Sequence, residues 1–162
     1  MSHVVADLSD AHPHCPLVRP GLHEFGGHSR FFGPIKTVKV FEDNALVRAE
    51  LEQPGHGSVL VVDGGGSMRC ALVGGLLGEM AVQNGWAGIV VNGCVRDVVE
   101  LRDQPIGVRA LASHPRKSAK GMHGGVTNVA VHFLDASFMP GNWLYADEDG
   151  ILLSSLPLHL GG

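Results

Sequence analysis

Arg96 and Asp97 stand side by side at the end of the run Asn84-Gly85-Trp86-Ala87-Gly88-Ile89-Val90-Val91-Asn92-Gly93-Cys94-Val95, which reads as a short apolar strand ending in a glycine turn. A guanidinium next to a carboxylate can hold an anionic substrate and a metal ion together. On a strand, neighbouring side chains point to opposite faces and could not share a small site. In a turn, or in the first turn of a helix, they lie about 100° apart and can converge. The preceding Asn92-Gly93 predicts a turn. The same residues also fit a reading without chemistry. Asp97-Val98-Val99-Glu100 has capping-box form, and Arg96 could pair with Glu100 on the helix surface. Spacing leaves both open.

Gly74-Gly75-Leu76-Leu77 is the second candidate. Glycine inside a helix costs roughly 1 kcal/mol relative to alanine, so the pair predicts a helix beginning here. The unpaired N–H groups of a helix start, with their partial positive charge, bind carboxylate or phosphate. A tight strand-to-helix turn with no ligand explains the pair equally well. Asp63-Gly64-Gly65-Gly66-Ser67 follows an apolar strand but lacks a Walker lysine and G-x-G-x-x-G spacing, so it reads as a backbone-packing turn. His12-Pro13-His14-Cys15 lacks a partner cluster at zinc spacing. His114 and His123 flank Arg116-Lys117-Ser118-Ala119-Lys120, a short basic cluster that reads as a solvated loop. No nucleophile sits in a G-x-S-x-G elbow.

These residues need elements to position them. Residues 1–20 read as an arm or a weak first helix. Ile35–Val40 alternates as a strand. Asp43 or Asn44 can cap a helix to about Gln53, with Ala45, Leu46, Ala49 and Leu51 on one side. Ser58–Val62 is apolar throughout, as a strand buried on both faces. Cys70–Val73 is a short extended piece. A helix over Gly75–Asn84 should bury Leu76, Leu77, Met80 and Ala81. Strand Ala87–Val91 and a helix over Asp97–Asp103 follow. Gly107–Ala112, Val126–Phe133, Trp143–Tyr145 and Gly150–Leu153 read as short strands. Strand and helix alternate in the middle and strands dominate the end, which predicts a compact α/β domain with a mixed sheet.

Length and charge narrow the function. The 162 residues suit one domain spanning 1–162, with a tail at 157–162 that includes Gly161-Gly162. A formal net charge of -4 gives no overall basic footprint for nucleic acid. Cys15, Cys70 and Cys94 form no C-x-x-C and fit a reducing compartment. No signal peptide is visible and no apolar run approaches the ~20 residues of a membrane helix. A cytoplasmic protein is the expectation.

Several segments together resemble the RraA-like family, which includes 4-hydroxy-4-methyl-2-oxoglutarate aldolases and regulators of ribonuclease E activity. They are Phe25-Gly26-Gly27, Val38–Asn44 (V-K-V-F-E-D-N), Leu60–Ser67 (L-V-V-D-G-G-G-S), Ala71–Leu77, Gly93–Asp97 (G-C-V-R-D) and Leu144–Ile151 (L-Y-A-D-E-D-G-I). The resemblance covers roughly residues 20–155. It implies a swivelling β/β/α domain with flanking helices, usually a homotrimer with sites near subunit interfaces. It implies that the backbone of Gly74, Gly75, Leu76 and Leu77 receives the pyruvyl part of a 2-oxo acid. It makes Arg96 the substrate-binding and catalytic arginine, and Asp97 the ligand of a divalent metal, Mg²⁺ or Mn²⁺. The implied reaction is retro-aldol cleavage to pyruvate through an enolate, with oxaloacetate decarboxylation through the same enolate. The alternative it implies is a protein that binds and regulates ribonuclease E without catalysis. Two departures are visible: aldolase members often carry an acid where this chain has Gly75, and longer ones extend past the last strand to supply a further acid.

Overall fold

The computed structural model describes residues 3–158, so Gly161 and Gly162 of the expected tail lie outside the described residues. The elements in chain order are α1 Val5–Ala11, β1 His23–Glu24, β2 Phe31–Lys39, α2 Ala45–Leu51, β3 Val59–Asp63, β4 Ala71–Val73 and α3 Gly75–Gln83. They continue as β5 Gly88–Val95, α4 Val98–Arg102, β6 Gly107–Ser113, β7 Val126–Thr127, β8 Val131–Phe133, β9 Ala136–Phe138, β10 Trp143–Asp147 and β11 Gly150–Ser154.

One mixed sheet runs in the order β1-β6-β5-β3-β2-β10-β11. β2, β3, β5 and β6 are mutually parallel, while β1, β10 and β11 pair antiparallel to their neighbours. β4 adds in parallel to β5 beyond the end of β3, and β8 and β9 form a separate antiparallel pair. The side-chain period of two divides the core between the two faces of this sheet. Leu60, Val62, Ile89 and Val91 face the helices, with Val47 and Leu51 of α2 and Leu77 and Ala81 of α3. Val59, Val61 and Val90 face the other way, onto Val131, Phe138, Leu144 and Ile151. The result is the expected α/β architecture: a curled mixed sheet with helices on one side and strands on the other.

Several boundaries move, each for a physical reason. The predicted turn at Asn92-Gly93 is an irregularity inside β5, where the pairing with β6 shifts register between Val91 and Cys94. Asn92 Nδ2 donates to Asp63 Oδ1 at 2.9 Å, and Asn92 O accepts the N–H groups of Gly64 and Gly66. Its polar groups are therefore satisfied across the sheet, and the chain has no need to reverse. In α2 the buried stripe is Val47 and Leu51, four apart, while Ala49 is exposed. In α3 the buried positions are Gly75, Leu77, Gly78 and Ala81, and Leu76 is 64% exposed. Val126–Phe133 is broken in two at Asn128, whose φ is 59°.

The N-terminal segment packs along the far edge of the sheet. Val5 N–H donates to Asp147 Oδ2 at 2.8 Å, which caps α1 from a distant residue. Val18 N–H donates to Ile151 O, and Leu153 N–H donates to Pro16 O. Among the described residues, no helix is long and apolar enough to cross a membrane.

Candidate active site

β4 and β5 run parallel and end together, at Val73 and Val95. Arg96 N–H donates to Val73 O at 2.9 Å, so the two chains leave the sheet from adjacent points. One continues through Gly74 into α3, the other through Arg96 and Asp97 into α4.

Asp97 sits at φ 58°, ψ 46°, in the left-handed region. Aspartate tolerates this better than most residues, at a cost on the order of 1 kcal/mol. The conformation turns its carboxylate away from its own helix, and Oδ2 accepts the Gly75 N–H at 2.9 Å. Asp97 therefore caps α3. The predicted capping box with Glu100 does not form, because Asp97 makes no side-chain bond to the start of α4. Nor does Arg96 pair with Glu100. Its side chain passes over Gly74, and Nη1 donates to Pro115 O at 3.4 Å.

The two glycines are required by this approach. A Cβ on residue 74 would lie 2.6 Å from Asp97 Oδ2 and 3.2 Å from Arg96 Cγ. A Cβ on residue 75 would overlap the Glu100 carboxylate. Gln104 Nε2 adds a bond to Gly75 O at 2.9 Å. The packing explanation and the anion explanation of Gly74-Gly75 are thus compatible. The first intrahelical bond is Gly78 N–H to Gly74 O, and the N–H groups of Leu76 and Leu77 find no acceptor among the described residues. The turn Gly64–Gly66, by contrast, is folded onto Asn92 O and opens no cradle.

The helix start, Arg96 and Asp97 share one cleft of about 80 Å³. A single water needs roughly 10–15 Å³ on this measure, so the space suits a small organic acid. Gly74, Leu76, Leu77, Arg96 and Asp97 line one wall; Asn44, Arg48, Lys117, Ser118 and Lys120 line the other. Gly75 lies behind the first wall and reaches the site through its bond to Asp97. With Arg48, Arg96, Lys117 and Lys120 against Asp97, the cleft is cationic in a chain of net charge -4.

Arg116, Lys117 and Lys120 are exposed on a loop, as the solvated-loop reading expects, but the backbone of that loop is tied to the rest of the second wall. Ala71 N–H donates to Arg116 O at 2.8 Å, Ala119 N–H to Glu42 O at 2.9 Å, and Asn44 N–H to Ala119 O at 3.1 Å. Ser118 is buried. The available signal was local: a basic cluster interleaved with small residues in an otherwise acidic chain. His114 accepts the Arg116 N–H on Nδ1, and His123 lines a neighbouring cavity with Arg69 and Cys70. Neither lines the cleft.

The donor set fits a weakly held hard cation. Asp97 Oδ2 accepts the Gly75 N–H, and Oδ1 has no hydrogen-bond partner among the described residues. Among the described residues, no three His, Cys, Asp or Glu side chains gather into a metal site. A single carboxylate supplemented by water and substrate oxygens is how Mg²⁺ is commonly held, and it suits Mn²⁺ in the same way. The surrounding cations favour such an ion arriving with an anionic substrate.

The family model described as RraA-like, Aldolase/RraA, matches residues 5–153. The chain is 58% identical over 159 residues to a Laribacter hongkongensis protein named "Putative 4-hydroxy-4-methyl-2-oxoglutarate aldolase", covering 98% of this chain and 99% of that one. A Burkholderia multivorans protein with the same name is 55% identical over 164 residues, covering 98% and 99%. A solved structure of the RNA-processing inhibitor RraA from Thermus thermophilis superposes with a TM-score of 0.93 at 50% identity, covering 97% of this chain and 95% of that one. A Geobacillus kaustophilus structure described as an S-adenosylmethionine: 2-dimethylmenaquinone methyltransferase gives 0.95 at 41% identity, covering 98% of each.

Proposed function

This chain belongs to the RraA-like, Aldolase/RraA family, and from that premise we propose that it is a divalent-metal-dependent lyase. It cleaves 4-hydroxy-4-methyl-2-oxoglutarate into two pyruvates and decarboxylates oxaloacetate as a second activity. The observation that carries this reading is the convergence of Arg96, Asp97 and the open N–H groups of Leu76 and Leu77 on one small cationic cleft.

The C1 carboxylate docks on the Leu76 and Leu77 amides, where the helix dipole favours an anion. Arg96 faces the 2-oxo oxygen. A water molecule in the cleft takes the proton of the C4 hydroxyl as the C3–C4 bond breaks, and the protonated water can return it to C3 afterwards. The electron pair of that bond moves into the C2–C3 bond, and negative charge settles on the C2 oxygen against the guanidinium. A pre-placed donor of this kind lowers a barrier by about 3–4 kcal/mol. The fragment holding C4 leaves as one pyruvate, and protonation at C3 releases the other. Oxaloacetate reaches the same enolate when its C3–C4 bond breaks with loss of CO2. Asp97 Oδ1 would hold Mg²⁺ or Mn²⁺, and the bound ion supplies Lewis-acid polarisation of the 2-oxo group. The free, buried thiols of Cys15, Cys70 and Cys94 suit a reducing cytoplasm. Leu76 at the cleft and Val99 on α4, 64% and 68% exposed, suit burial by further copies in a homotrimer, which light scattering would test.

Purified protein with Mg²⁺ should release pyruvate from both substrates, and EDTA should stop it. Turnover that survives both EDTA and Asp97→Ala would sink the metal role. A second reading, a regulator that binds ribonuclease E, is favoured by the likeness to the Thermus inhibitor. It requires a stoichiometric complex that is indifferent to Arg96→Ala, and a pull-down with no ribonuclease would remove it.

A further inference from the structure

The segment Val38–Asn44 has no part in the mechanism above, yet it contains Asp43, only 1% exposed. Every acceptor direction of that carboxylate is given to backbone. Oδ1 accepts the N–H groups of Ala45 at 3.0 Å and Gly121 at 2.9 Å; Oδ2 accepts those of Met122 at 2.6 Å and His123 at 3.0 Å. The flanking residues act on the same loop, because Glu42 O and Asn44 N–H bracket Ala119. Asn44 Nδ2 also donates to Leu72 O at 3.1 Å, tying this turn to β4. Between these anchors and the Ala71–Arg116 bond lies the stretch that lines the second wall of the cleft.

That wall has a charge with no use for a single carboxylate. Lys117 and Lys120 pair with no carboxylate among the described residues. Arg48 is engaged with Glu52 at 3.1 Å. Asp97, the carboxylate in the cleft, is held on the opposite wall by Gly75. The cleft thus has two positive poles, one at the start of α3 with Arg96 and one on the loop.

We infer that Asp43 is a positioning residue which sets Lys117 and Lys120 as a clamp for the second, distal carboxylate of a dicarboxylic 2-oxo acid. This deepens the aldolase reading and rests on it. The clamp acts differently on the two reactions. In aldol cleavage the distal carboxylate stays a carboxylate throughout, so the cations help. In oxaloacetate decarboxylation that group must leave as neutral CO2, and a cation beside it opposes the departure.

The test uses the full chain with Mg²⁺, assayed on 4-hydroxy-4-methyl-2-oxoglutarate and on its monocarboxylate analogue, in which a methyl replaces the distal carboxylate. Wild type should favour the dicarboxylate. Losing a charge-assisted bond is worth about 10- to 100-fold, so Lys117→Met and Lys120→Met should each cost the dicarboxylate at least about tenfold more in kcat/KM than the analogue. Asp43→Ala should act mainly through KM for the dicarboxylate, and should speed hydrogen exchange at the amides of residues 121–123. The aldol-to-decarboxylation ratio should fall in every variant. Equal losses on both substrates, or unchanged exchange at 121–123, would overturn the inference while leaving the aldolase reading intact. A wild type that turns over neither substrate would remove that reading and the clamp together.

Discussion

The two walls of the cleft are built on different principles. The first is a crossing of helix starts in which Gly74 and Gly75 leave room only for the Asp97 and Glu100 side chains. Its geometry is set by van der Waals contact over a few residues. The second joins the start of α2 to an irregular loop, which is held by backbone bonds at Arg116 and Ala119 and by one distant carboxylate, Asp43, on the amides of residues 121–123. A contact-packed wall keeps its shape unless an atom is added to it. A tethered wall also depends on its tether staying charged and in place. Reacting atoms belong on the first, and recognition of the far end of a substrate can be left to the second.

The comparison is broken most severely at the reacting groups. Arg96→Ala should lower kcat for pyruvate release by about 10²- to 10³-fold, and Asp97→Ala by at least as much, while urea melts show a folded protein. Next comes the tether. Asp43→Ala strands four amides and should cost on the order of 3 kcal/mol in denaturant unfolding. Burial raises the Asp43 carboxyl, but the N–H groups of Ala45, Gly121, His123 and Met122 more than cancel this and hold it well below the usual carboxylate range. The native state therefore binds fewer protons than the unfolded chain under acid conditions. Its contribution should be complete above about pH 4 and fade as pH falls further. Melts at pH 7 and pH 3 should show that slope in wild type and a shallower one in Asp43→Ala, because the lowered carboxyls of Glu42 and Glu148 remain. The packed wall is probed by one added carbon: Gly74→Ala pushes on Asp97 and Arg96 and should cut kcat/KM by about 10- to 100-fold, with unfolding changed by about 1 kcal/mol or less. The smallest effect belongs to the Arg48–Glu52 pair, both side chains half exposed. Glu52→Ala should move stability by no more than about 0.5 kcal/mol.

The packed wall was largely legible in the sequence. Arg96-Asp97 and Gly74-Gly75 are local patterns, and the apolar runs around them fixed β3, β5 and α3 to within a few residues. What escaped was direction. Nothing in Asp97-Val98-Val99-Glu100 says that the aspartate takes a left-handed backbone and caps the other helix, because that depends on β4 lying beside β5. Leu76 looked like core for the same reason: its neighbours are buried, and only the cleft leaves it outside. The tethered wall was not legible, since 78 residues separate Asp43 from Gly121 and an irregular loop carries no period. The basic cluster was visible, but its partner was hidden behind the helix-cap reading of Asp43, which is half of what that residue does.

The pairing of residues 16–18 with β11 has a consequence for colloidal behaviour. β11 is the last strand of its sheet, and those residues occupy its outward backbone groups through the Ile151 and Leu153 bonds. A chain trimmed to begin at Arg19 would bare an apolar ribbon, Ile151-Leu152-Leu153, with open donors and acceptors. Such an edge recruits the edges of other molecules. The arm therefore covers a sheet edge that would otherwise be open to such pairing.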